Sequence, residues 1–111
     1  MTDRELLELA AKAGGLPHQW CDAWNTMAKP RPDGGFFFDK VWNPFTNDGD
    51  ALRLAVELGL LVDVWLQQKV CIASNQGEEL VDAREQFGND PYAATRRAIV
   101  RAAAEIGRNM V

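Results

Sequence analysis

A single α/β domain, with three helices layered on a mainly antiparallel sheet, is the fold class that this sequence predicts, and three observations predict it. Three segments carry helical spacing bounded by start and stop signals, at residues 2–15, 46–59 and 90–108. Between them lie aromatic and β-branched runs, "FFFDKVW", "LLVDVWL" and "KVCIAS", that read as strands. The length of 111 residues, with 47% hydrophobic and 25% charged side chains, fits one domain over 1–111. A chain of this size buries roughly 65% of its unfolded surface, enough for one core without disulfide or metal staples. No repeat, low-complexity tract or long linker divides it.

The first helix opens on Thr2 and Glu5, the spacing of a capping box, and runs to about Ala13. Leu6, Leu9, Ala10 and Ala13 share one face, and Gly14-Gly15 ends it. "HQWCDAWNTM" shows neither strand alternation nor a helical stripe. "KPRPDGG" is a loop of residues that fix or free the backbone, and "FFFDKVW" beyond it completes a hairpin.

"WNPFTNDGDALRLAVELGL" groups Asn47, Asp48 and Asp50 around Gly49, which raises the question of a calcium loop. Such a loop needs its glycine at the sixth position and a glutamate at the twelfth. With Gly49 sixth, the first and twelfth positions are Pro44 and Ala55; with Asp48 first, the fifth and twelfth are Leu52 and Gly59. Neither register supplies the ligands. As a helix start the same residues fit: Thr46 or Asn47 caps, Asp48 and Asp50 oppose the helix dipole, and Gly59 stops the helix. Leu52, Ala55, Val56, Leu58, Ala51 and Leu54 cover a wide apolar arc, so this helix is expected to be buried on more than one side and to pack centrally on the sheet.

Leu60–Leu66 has apolar side chains on both faces, and a turn at Gln67-Gln68 returns the chain through "KVCIAS". That pattern implies either a sheet covered on two sides or a second face that meets a partner. "NQGEE" reads as a turn. "LVDAREQF" is an edge strand with Val81, Ala83 and Phe87 on its inner face. Asp90 caps the last helix, Pro91 opens it, and Tyr92, Thr95, Ile99, Ala102, Ala103, Ile106 and Met110 form its predicted buried face. Arg97, Arg101 and Arg108 fall in a narrow sector opposite, where Glu105 is placed to pair with Arg101.

"WNPFTNDGDALRLAVELGL" and "NDPYAATRRAIVRAAAEIG", with "MTDRELLELAAKA" at the start, resemble the small phage and prophage proteins grouped as the phage ABA sandwich domain. The resemblance covers the three helices and their caps, about half the chain. It implies an α/β/α sandwich, with helices on both faces of the sheet, and action in the cytoplasm of a bacterial host. The family is uncharacterised, so the resemblance implies no reaction and no catalytic residues.

Chemistry-bearing residues are sparse. His18 and Cys21 stand at a spacing seen in zinc sites, but the sequence offers no second histidine and only Cys71 besides, short of four ligands. A Cys–His nucleophilic pair lacks an orienting third group. Asp48 and Asp50 have a capping role and Glu78 and Glu79 lie in a turn, which argues against paired catalytic carboxylates. Phosphate-loop and dinucleotide glycine patterns are absent. No catalytic residue, metal site or cofactor is therefore expected. Isolated cysteines without paired spacing read as reduced thiols, the charged start Met1–Glu5 lacks a signal peptide's apolar segment, and no apolar run has the length of a membrane span.

Charge and aromatic content suggest what remains. Residues 1–45 hold five basic and six acidic side chains, residues 46–90 three and nine, and residues 91–111 four and one. An acidic middle therefore precedes a basic end, and the two attract within a fold or present a basic strip. Four tryptophans are many for this length; Trp20 and Trp24 lie in the irregular region, where they either fill core or form a patch for a protein partner. The sequence points to a non-enzymatic accessory protein that binds a host or phage protein. Its alternative is a nucleic-acid-binding protein using Arg97, Arg101 and Arg108. Self-association is left open.

Overall fold

A computed structural model describes residues 1–75 and 81–110. The elements are α1 (Asp3–Ala13), β1 (Gln19–Cys21), β2 (Thr26–Pro30), β3 (Phe36–Trp42), α2 (Asp48–Leu58), β4 (Leu61–Trp65), β5 (Val70–Ser74), β6 (Asp82–Gln86) and α3 (Pro91–Arg108). The fold is mixed α and β, with three helices and antiparallel strands as the sequence predicts. The expected turn at "NQGEE" lies largely outside the described residues.

Local chemistry sets the helix ends. The Thr2 hydroxyl accepts from the Glu5 amide at 3.2 Å, and of the two candidate caps for α2 it is Asn47 whose side chain accepts, from the Asp50 amide at 2.9 Å. Asp90 accepts from the Tyr92 and Ala93 amides at 3.0 and 3.1 Å. Gly59 terminates α2 at φ 63°, a left-handed geometry that costs glycine nothing.

The strands form two three-stranded sheets, β1-β2-β3 and β4-β5-β6. The featureless "HQWCDAWNTM" holds β1 and the start of β2, joined by a turn in which Asn25 takes φ 52°. Too short to show alternation, β1 gave no periodic signal. The hairpin across the proline-rich loop is present as β2–β3, with a register shift between Ala28 and Pro30. Met27 and Trp42, opposite each other in that ladder, are buried and join the first sheet to the core, while the middle of β3 is exposed. In the second sheet β4 and β5 pair regularly from Leu61↔Ser74 to Trp65↔Val70, and β6 is an edge strand with Ala83 buried within it and Val81 and Phe87 buried at its ends.

The centre of the molecule is α3. It packs against β5 and β6, and α1 and α2 pack against it. Ala94, Ala98, Ile99, Val100, Ala102, Ala103, Ala104 and Gly107 are all buried, a wider arc than the single stripe expected. Small side chains permit this, because they let neighbouring backbones approach from several directions. At the two ends of the expected stripe, Tyr92 and Met110 are exposed instead.

The expectation for α2 is corrected. It is buried along one face through Ala51, Leu54 and Ala55, and packs on α3 at the side of the molecule. Leu52 and Val56 are 64% and 72% exposed. The wide apolar arc is real in sequence, but two of its six residues face water.

Candidate functional site

The sequence-derived candidates are placed in three separate settings. Trp20 is half-buried, with the Arg4 guanidinium 5.3 Å above its ring and its indole N–H donating to Asp22 at 3.1 Å. Trp24, in the turn after β1, is exposed and tilted against Phe36 at 6.4 Å. Each has its own local partner, and no direct ring contact joins them among the described residues.

The arginines of α3 are engaged by carboxylates. Arg97 pairs with Glu85 at 3.1 Å and with Asp3 at 3.5 Å, and it lies over the Phe45 ring at 5.3 Å. Arg101 pairs with the other oxygen of Glu85 at 3.1 Å and donates to the Arg84 carbonyl, which corrects the expected pairing with Glu105. Glu105 lies 3.8 Å from Arg108 instead. The reason is that β6 runs beside α3 and presents a half-buried carboxylate that serves two guanidinium groups at once. A phosphate would have to compete with Glu85 and Asp3.

His18 lies 6.1 Å from the Trp42 ring, in a groove of about 910 Å³ between β3 and α2 that also includes Asp39, Asp50 and Arg53. Its Nδ1 is buried without a hydrogen-bond partner among the described residues. Burial lowers its pKa below the ordinary 6.5, and nearby Lys29 adds to this while Asp50 and the Lys40 backbone oppose it. Cys21 is buried at the end of β1. Cys71, buried on β5, is kept a neutral thiol by desolvation. Among the described residues no three His, Cys, Asp or Glu side chains converge.

The His18 geometry has a pH consequence. The unfolded chain takes up a proton near pH 6.5 while the folded chain resists it, so the contribution is present above that pH and is lost as pH falls through the lower folded value. Melting temperatures of the wild type and His18→Gln, compared at pH 7.5 and 5.5, should show a larger acid-induced loss for the wild type.

The most apolar groove lies elsewhere, around β4. Leu61, Val64 and Trp65 are each nearly half exposed although they lie within a strand, and Leu66 just beyond it is 72% exposed. Val62, Val64 and Leu66 form one wall of an apolar groove of about 380 Å³. Ala51, Leu52 and Ala55 of α2 form the other, with Tyr92, Thr95 and Ile99 of α3 completing the lining. An ion pair between Asp48 and Arg96, at 2.7 Å, joins α2 to α3 beside this groove. On the outer face of the sheet, Leu61 and Trp65 lie beside half-buried Val70 and Ile72.

Sequence reasoning saw half of this site. The run "LLVDVWL" reads as apolar on both faces, but spacing places Leu52, Val56 and Tyr92 in the core, because it does not tell which side of a helix finds a neighbour. Among the described residues no helix is long and apolar enough to cross a membrane. Comparisons with protein-family models, with curated proteins and with solved structures found no match.

Proposed function

We propose that this protein is a small, non-enzymatic protein-binding module, an accessory protein of phage or prophage origin that acts in the cytoplasm of a bacterial host. The origin and location rest on the resemblance of its capped helices. The binding role rests on one observation, the apolar groove bounded by exposed Leu52 of α2, Val64 and Leu66 at β4, and Tyr92 of α3. Monomeric proteins rarely expose a continuous apolar surface of this kind without a use for it.

The test compares the immobilised chain with its Leu52→Glu/Tyr92→Glu variant as bait for proteins of a bacterial lysate. Both substituted positions are exposed, so the variant should fold. Species retained by the wild type and lost by the variant support the reading; identical capture by both contradicts it. Nucleic-acid binding through Arg97, Arg101 and Arg108 is disfavoured by their ion pairs, and a duplex DNA or RNA probe should show no salt-sensitive shift.

A further inference from the structure

We propose that a second copy of this chain docks on β4, edge to edge and antiparallel, so that two three-stranded sheets become one sheet of six strands. This rests on the protein-binding reading above and names the partner.

The first argument is the state of the edge. Natural sheets protect their outer strands with charges, proline or bulges. The opposite edge of this sheet, β6, has such protection in Asp82, Arg84 and Glu85. The other sheet has a register shift beside Pro30, and its β3 edge carries Asp39 and Lys40. By contrast β4 pairs with β5 without a bulge, contains no proline or lysine, and has a single charge, Asp63. Among the described residues none of Leu61–Trp65 makes a backbone hydrogen bond outside its ladder with β5. The outward backbone groups of an apolar strand are thus left for another strand to pair.

The second argument is area. Leu52, Leu61, Val64, Trp65, Leu66 and Tyr92, weighted by their exposures, leave on the order of 700 Å² open to water along the two faces of this edge, near what one partner of a standard-size interface buries. A single added peptide strand would pair the edge and leave much of the α2 stripe and the outer sheet face wet. A second copy brings the same apolar surface to both sides.

The third argument is charge, which selects the register. A two-fold axis perpendicular to the sheet places one β4 residue opposite its own copy. Centred on Asp63, the pair would set two carboxylates against each other. Centred on Val64, it places Asp63 opposite Trp65 and Val62 opposite Leu66 of the second copy, and the overlap spans 62–66.

The experiment is the solution mass of the full chain by sedimentation equilibrium over a wide concentration range, for the wild type, Val64→Lys and Phe38→Lys. The wild type should associate to a dimer, Val64→Lys should weaken that dimer at least about tenfold, and Phe38→Lys, on the other sheet, should leave it unchanged. Circular dichroism confirms that each variant is folded. A second variant, Val64→Cys, should cross-link to a dimer under mild oxidation, whereas Phe38→Cys should not. A monomer at every concentration overturns the proposal, and so does a dimer that neither Val64 substitution affects. If the chain is monomeric yet still captures a bacterial protein through Leu52 and Tyr92, the second copy is wrong and the binding role survives. If it does neither, both fall.

Discussion

Gly107→Ala should destabilise the protein by about 3–5 kcal/mol, enough to abolish folding if the starting stability is near the lower end of the usual 5–15 kcal/mol. Helix propensity alone gives the opposite sign, since alanine is favoured over glycine inside a helix by about 1 kcal/mol. Packing outweighs it. A Cβ at Gly107 would overlap the Leu9 carbonyl oxygen and stand 2.9 Å from the carbonyl carbon, where α3 crosses α1 backbone to backbone. Neither group is a flexible side-chain end, so relief requires moving one helix away from the other and opening the alanine contacts of both. Gly14→Ala is the comparison: the tightest contact of its Cβ would be the flexible tip of Leu54, at 3.3 Å, with the Ala10 carbonyl and Leu16 at ordinary distance, and it should change stability by no more than about 1 kcal/mol. Urea unfolding followed by circular dichroism measures both.

Trp42→Ala should cost about 3–5 kcal/mol by the same measurement, through lost burial and the cavity left behind. Trp42 is 6% exposed, pairs with Met27 across the β2–β3 ladder and packs near His18. With Met27 and half-buried Trp20 it is one of the large side chains by which the first sheet reaches the core. Phe38→Ala, four residues earlier on the same strand but 81% exposed, should stay within about 0.5 kcal/mol. Similar losses for the two would mean that Trp42 does not anchor the sheet.

The contrast between Trp42 and Phe38 also marks how far the sequence could be read. "FFFDKVW" announces a strand, and it is one, but nothing in the run of aromatics says that the last is buried while the middle lies in water. Where the signals are local, they were legible: Thr2, Asp90 and Pro91 start helices because unpaired amides need acceptors nearby, and Gly59 stops one because few other residues take its backbone angle without strain. Where burial depends on what lies across the molecule, they were not. The apolar arc of α2 reads as a buried helix, and only the packing of α2 against α3 shows that Leu52 and Val56 stay exposed. The division of the strands into two sheets was equally hidden, since it is set by how the second hairpin and β6 pack on α3.

The candidate site follows the same rule. The arginine sector of α3 was visible as a spacing, but its neutralisation by Glu85 and Asp3 depends on residues far away in sequence. The two-sided apolar character of β4 is visible in the sequence as well, but not that Leu61, Val64 and Trp65 stay nearly half exposed, which depends on what packs over the sheet. In the proposed dimer the outward backbone groups of β4 would supply direction, and Val64, Trp65, Leu66 and Tyr92 the apolar area.

The most direct measurement of that claim is amide hydrogen exchange of Leu61–Trp65, taken on the full chain at low and at high protein concentration. Amides facing β5 should be protected in both. Those facing outward should exchange rapidly when dilute and become protected as concentration rises, together with reduced solvent access around Leu52 and Tyr92. Outward β4 amides that exchange at one rate across the whole range, while protection rises elsewhere or nowhere, would contradict the account.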